Sequence, residues 1–307
     1  MGENSSMSIR KRRWTEWAIS APSVLWLTIF FVVPTLLVVA ISFHSAAPDG
    51  GIGREWTFDT WRHISNPNYP SIIWRTLWIS AATTLGCVVL ALPCAFAIAR
   101  MQKKWRSIMA GLIMLPFWTS FVVRVFAWRL LLHPEGFLKH ILMSLGLAEA
   151  NSQLLYNSGA ILLVSIYSFL PFAIMPIYAA AEKFDFSLLE AARDLGARSL
   201  LAFRKIFIPG IRRGLISATL MVFIPSVGSY VIPDLVGGKN SELIGNKIYQ
   251  RTFPDRNLPH ASALSAIMAV GVLMPLGLLA WFLKRQDRRE ALRQVEVNGL
   301  KQRGGAA

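Results

Sequence analysis

Long stretches free of charge alternate along this chain with short polar segments, most of them basic. Six stretches contain no Asp, Glu, Lys, Arg or His: Trp17–Phe43, Thr76–Ala99, Ser107–Val123, Gly159–Ala181, Gly214–Pro233 and Ala261–Leu283. They run 27, 24, 17, 23, 20 and 23 residues. A helix crossing a bilayer needs about 20 mostly apolar residues, with about 17 as the lower limit. The pattern therefore predicts an all-α polytopic membrane protein with six transmembrane helices. The third stretch is the marginal one, and Arg124 and Arg129 at its end can extend outward along their apolar stems.

The intervening segments complete the layout. Residues 1–13 form a basic tail ending in RKRR, 14–284 the six-helix membrane domain, and 285–307 a second basic tail. Residues 44–70 read as a loop rich in Gly, Pro, Asn and Trp, and 100–106 as a tight turn. FLKHILMSLGL within 133–158 reads as a short interfacial helix, 182–213 as a long polar segment and 234–260 as a polar loop. Pro93, Pro116, Pro171, Pro176, Pro225 and Pro275 fall inside predicted spans. Neighbouring helices can satisfy the backbone groups they free, so they read as packing kinks or as hinges.

Composition agrees with a membrane protein: 54% of the 307 residues are hydrophobic and 16% charged, against roughly 25% charged in soluble domains. Mean hydropathy is +0.45. A net charge of +15 would suit nucleic acid, but its placement excludes that. With six spans, the two tails and the 100–106 and 182–213 segments share one side. That side carries 22 of the 32 Lys and Arg, against 8 in the other loops. The excess puts both termini in the cytoplasm.

The first stretch exceeds the about 7–15 residues of a signal-peptide core. Pro48, just after Ser45, Ala46 and Ala47, opposes cleavage there, so the stretch reads as a retained helix. Cys87 and Cys94 lie seven residues apart on one predicted helix. About 10 Å of rise separates them, too far to bridge, and both read as small packing residues.

The chain lacks G-x-x-x-x-G-K-[ST]; GGKNS at 237–241 has a lysine after glycines in the wrong frame. ATP binding by the P-loop route is thereby excluded. The five His (44, 63, 133, 140 and 260) lack metal-ligand spacing, no nucleophile–His arrangement is legible, and nothing demands a cofactor. No carboxylate lies within a predicted span, where ion-driven transporters place theirs. Uphill transport would have to draw its energy from another polypeptide.

The segment LLEAARDLGARSLLAFRKIFIP, 188–209, carries six charged residues among its 22. Ser187 and Glu190 fit a capping box. Leu188, Ala191, Ala192 and Leu195 form an apolar face at helical spacing, and Gly196 suits a left-handed helix end. A second helix follows over Ser199–Phe207, with Pro209 marking the turn into the next span. Such a pair can lie passively among headgroups.

The same residues resemble the coupling signature of ABC importer permeases, E-A-A-x3-G-x9-I-x-L-P. It reads here Glu190, Ala191, Ala192, Gly196, Ile206 and Pro209, with Ile208 in place of the usual Leu. LPFWTSFVVRVFAW (115–128), LPFAIMPIYAAAEKFDFSLLEAARDLGA (170–197) and FIPSVGSYVIPDLVGGKNSELIGN (223–246) are similar to segments of polyamine importer permeases. The similarity is to the first permease subunit type of spermidine/putrescine systems, and it runs from the first span through the sixth.

The resemblance implies a type I ABC importer permease fold in a bacterial inner membrane. It implies a second homologous permease, two ATP-binding cassette ATPase subunits and a periplasmic substrate-binding protein as partners. In that family the 187–208 element docks in the ATPase subunit, which hydrolyses the ATP. Polyamine, opine, 4-aminobutyrate or another amino-group compound would be the solute. Trp118, Tyr167, Tyr230 and Asp234 could line its passage, the aromatics by cation–π contact; each aromatic also suits bundle packing or the bilayer belt. Putrescine-type relatives tend to have an acidic residue where Ser229 stands. A stand-alone secondary transporter or channel is the alternative, opposed by the coupling signature and the missing intramembrane carboxylates.

Overall fold

The computed structural model describes residues 20–64, 68–146, 149, 151–274, 277, 281 and 285. The tail 1–13, and 285–307 apart from Arg285, lie outside them, as does most of the end of the sixth predicted span. The described helices are α1 (Ser20–Ile41), α2 (Asp59–Ile64), α3 (Asn68–Ala99), α4 (Lys103–Met114), α5 (Phe121–Leu131), α6 (Phe137–Ser144), α7 (Ser158–Glu182), α8 (Ser187–Asp194), α9 (Ser199–Gly210), α10 (Arg212–Val227), α11 (Val231–Val236), α12 (Ile244–Thr252) and α13 (Leu258–Met274). A hairpin of β1 (His44–Ala46) and β2 (Ile52–Trp56) follows α1.

Three helices, α1, α3 and α7, are long and apolar enough to cross a membrane. Two bent pairs raise the count to five among the described residues. In the first, α4 with its 3-10 extension Leu115–Trp118 meets α5 at 85°. Pro116 has no N–H to continue the ladder, and Thr119 and Ser120 are extended. The third predicted stretch is therefore two helices and not one straight rod. In the second, α9 meets α10 at 74°. The turn falls at Ile211, two residues beyond Pro209, which sits inside the last turn of α9. Helix α13 covers the described part of the sixth stretch.

By contacts the chain divides into two units: residues 1–66 with 250–269, and 67–249 with 270–307. The first holds the hairpin, absent from the loop expected over 44–70. Gly50 and Gly51, at φ 89° and 97°, make its turn, and His44 lies opposite Trp56 with ring centroids 4.4 Å apart.

In the second unit α3, α7 and α10 pack on one another. Small residues recur every fourth position on the facing stripes. Thr83, Cys87, Ala91, Ala95 and Ala99 are buried on α3, and Gly214, Ala218, Val222 and Ser226 on α10. Without large side chains the backbones approach closely, the usual source of helix association in lipid. A Cβ at Gly214 would lie 2.5 Å from the Ala180 Cβ and 2.7 Å from the Pro176 carbonyl oxygen. Cys87 is buried, its thiol donating to the Ile166 carbonyl at 3.5 Å. Cys94, expected to pack likewise, is exposed because it lies off the four-residue stripe that α3 turns inward.

Candidate functional site

The 182–210 segment hangs between α7 and α10 and is built tightly at its base. Asp185, not Ser187, caps α8: its Oδ1 accepts from the Ser187 N–H at 3.0 Å and from the Ser187 hydroxyl at 2.7 Å. These two bonds hold its carboxyl below the usual carboxylate range. Ser187 is thus a donor in the first turn, its N–H and hydroxyl both turned to Asp185. The expected box with Glu190 fails because the stronger acceptor stands two residues earlier.

At the other end Gly196 takes φ 84°. Its N–H donates to the Arg193 carbonyl at 2.8 Å, and the Ala197 N–H reaches back to Ala192 at 2.9 Å. These are the paired bonds of a Schellman ending.

The expected apolar face is split between two sides of α8. Leu189 is buried, and Ala192 packs on the core from one side of α8. Leu188, Ala191 and Leu195 instead face outward with Glu190. Leu195 is 89% exposed, and Leu200 on α9 77%. Of the four residues grouped by helical spacing only Ala192 turns inward, beside Leu189 and towards a cluster of phenylalanines.

That cluster has no counterpart in the sequence reading, although FDF and FRKIF display it. Phe96 of α3 meets the Phe203 and Phe207 rings edge-on at centroid distances of 5.1 and 4.9 Å. Phe184 meets Phe207 at 5.2 Å, and Phe203 stacks on it at 5.1 Å. Phe207 is fully buried at the centre, while Ile206 is half-buried and Pro209 exposed. Phe207→Ala should cost about 3–5 kcal/mol, the range for a large aromatic lost from a core, and Phe207→Leu much less. Thermal denaturation of the purified protein checks this, and equal midpoints for the two variants would refute the anchoring role.

The passage candidates fall on separate elements. Trp118 ends the 3-10 turn at the 85° bend and is 85% exposed. Tyr167 on α7 meets Trp128 of α5 edge-on at 5.3 Å. Tyr230 sits at the break between α10 and α11, stacked on Tyr249 at 5.2 Å and 12°. Asp234 is exposed in the first turn of α11, and its N–H donates to the Tyr230 carbonyl at 3.0 Å. Tyr230 and Asp234 are thus adjacent, whereas no ring contact joins Trp118, Tyr167 and Tyr230 to one another among the described residues.

What holds Tyr230 in place was not legible. Asn246, buried, donates to the Tyr230 carbonyl at 3.3 Å and accepts from the Leu243 N–H at 3.2 Å. The Thr76 hydroxyl accepts from the Ile244 N–H at 2.9 Å and donates to the Ile72 carbonyl at 2.8 Å. Ser241, Leu243, Ile244 and Asn246 are all buried, so this part of the expected polar loop is packed down instead of solvated.

Long apolar helices packed through small residues, two of them bent, with an amphipathic pair suspended between α7 and α10, define a helical membrane permease. The chain belongs to the family of inner membrane components of binding-protein-dependent transport systems, whose profile matches residues 87–290. It is 34% identical over 257 residues to the spermidine/putrescine transport system permease protein PotB of Haemophilus influenzae, covering 84% of this chain and 89% of that one. Against PotB of Escherichia coli the identity is 32%, covering 84% and 93%. Among solved structures, a bacterial ABC transporter involved in import of the acidic polysaccharide alginate superposes with TM-score 0.65 at 19% identity, over 92% of this chain and 99% of that one. The same kind of transporter, in complex with an alginate pentasaccharide-bound periplasmic protein, gives TM-score 0.62 at 19% identity, over 86% and 92%. At that identity the two structures speak for the fold alone.

Proposed function

We propose that this permease imports a polyamine, or a related amino-group compound, driven by ATP hydrolysis on partner subunits. The observation that carries the coupling is the outward stripe of α8 and α9. Leu188, Leu195 and Leu200 are exposed on an element whose opposite side is locked into the phenylalanine cluster. A rigidly seated apolar surface next to Glu190 suits docking into a protein groove, and Glu190, Ala191, Ala192, Gly196, Ile206 and Pro209 shape that element. The complete assembly would hold a second homologous permease, two ATP-binding cassette ATPases and a periplasmic binding protein. The PotB likeness supports the solute class, and Trp118, Tyr167, Tyr230 and Asp234 are its proposed contacts.

Six spans with both termini cytoplasmic complete the proposal, following the 22-to-8 division of basic residues. Cysteine labelling of intact cells should modify position 240 and spare position 302; the reverse pattern would overturn the orientation. The function itself is tested by co-purification with the ATPase subunits and by uptake of radiolabelled putrescine and spermidine, with 4-aminobutyrate as competitor. Uptake that proceeds with no ATPase subunit present would defeat it in favour of a stand-alone transporter.

A further inference from the structure

The first turn of α4 carries an arginine, Arg106, that the signature and the passage leave unused. Arg106 Nη1 donates to Glu182 Oε1 at 3.1 Å, and Nη2 donates to the Ala99 carbonyl at 2.7 Å and to the Met101 carbonyl at 3.5 Å. Glu182 is the last residue of α7, and Ala99 the last of α3. Carbonyls at a helix end have no partner within the helix, and a guanidinium presents its donors in a fixed fork that can hold such a carbonyl and a carboxylate together. Tyr178, one turn back on α7, lies beside the same carboxylate. The Arg106 side chain is mostly buried while that of Glu182 is 45% exposed, so solvent weakens the ion pair and the fork to the two carbonyls shares the fastening.

Three residues beyond Glu182 stands Asp185, the cap of α8. Phe96, three residues before Ala99, packs on Phe186, Phe203 and Phe207. The phenylalanines join the α8–α9 pair to α3. Arg106 joins the end of α3 to the end of α7, the helix from which that pair hangs.

We infer that Arg106 is a positioning residue for energy coupling, fastening α3 to α7 so that a push on α8 and α9 moves both helices as one body. The inference rests on the proposed docking of α8 and α9. In its absence the pair would remain seated among the phenylalanines, but the end of α7 could part from α3 and the push would be lost between them. Arg106 touches neither the outward stripe nor the proposed solute contacts, so assembly and solute affinity should survive its replacement.

The test uses the full assembly in proteoliposomes, measuring putrescine uptake and ATP hydrolysis together. Arg106→Met should assemble in normal stoichiometry and hydrolyse ATP, with solute carried per ATP lowered about tenfold, the scale of one lost charge-assisted contact. Arg106→Lys, which can satisfy one partner but not the fork, should recover part of the ratio. Glu182→Gln keeps the side-chain size, removes the charge and should lower the ratio less than Arg106→Met. A wild-type ratio in both Arg106→Met and Glu182→Gln would overturn the inference, and so would a fall in membrane insertion with an unchanged ratio, the signature of a simple topogenic charge. Should Arg106→Met fail to assemble, Glu182→Gln alone decides by the same ratio. Failure of the docking proposal looks different: the wild-type protein then shows no ATPase association at all.

Discussion

Gly196→Asp should abolish solute uptake while the protein remains in the membrane at its normal level. Gly196 has φ 84°, and a Cβ there would meet nothing within 4 Å. The substitution therefore costs backbone strain without a clash. A left-handed non-glycine residue costs about 1–2 kcal/mol, with Asp among the better tolerated. Such a penalty is absorbed by a fold whose core lies elsewhere, in the phenylalanine cluster and the small-residue stripes of α3 and α10. The new carboxylate, however, follows directly on Leu195, which is exposed together with Leu188 and Glu190. Burying an unpaired charge in a docking groove costs several kcal/mol, enough to end the association. Uptake should vanish and the ATPase subunits should no longer co-purify, while Gly196→Ala, which adds strain but no charge, should lose only part of the activity. Normal uptake by the Gly196→Asp protein would remove this element from the coupling role.

The contrast between those two substitutions also explains what the sequence could and could not disclose. Charge-free length located α1, α3, α7 and α10, because lipid demands it of any spanning helix. Gly196 was legible because a left-handed helix end selects glycine. On α8 periodicity grouped Leu188, Ala191 and Leu195, which do share the exposed stripe, but it joined Ala192 to them and left out Leu189, its inward companion. Which stripe turns inward depends on Phe96, almost a hundred residues earlier in the chain, and no local pattern records that. The capping box failed for a related reason, since Asp185 and Ser187 are both good caps and only the backbone path chooses between them. The bend at Thr119–Ser120 interrupts a run that composition alone reads as continuous, whereas Pro209 marked the turn at Ile211 to within two residues. Asn246 and Thr76 were invisible, because each acts on backbone groups far from its own position.

Asp234→Asn should raise the apparent uptake constant for putrescine roughly tenfold or slow its transport by as much, the equivalent of one charge-assisted contact at about 1.5–3 kcal/mol. Asp234 is exposed, one helical turn from Tyr230, whose backbone carbonyl accepts its N–H. A carboxylate and an aromatic face so placed offer an ammonium group both an ion pair and a cation–π contact. Tyr230 in turn is held by Asn246 and by the Tyr249 ring, so Asp234 is presented from a fixed backbone. The competing role, a helix-end partner of Lys239, finds no such ion pair among the described residues. That role would lower expression slightly and leave uptake unchanged. Asn preserves the size of the side chain at an exposed position, so membrane insertion should be unaffected, and any loss can be assigned to charge. Tyr230→Leu should add to the defect, whereas Tyr230→Phe, which keeps the aromatic face, should not. If Asp234→Asn transports putrescine and spermidine as the parent does, the carboxylate is not part of the passage. If the parent carries 4-aminobutyrate and neither polyamine, the solute class changes while the coupling through α8 and α9 stands.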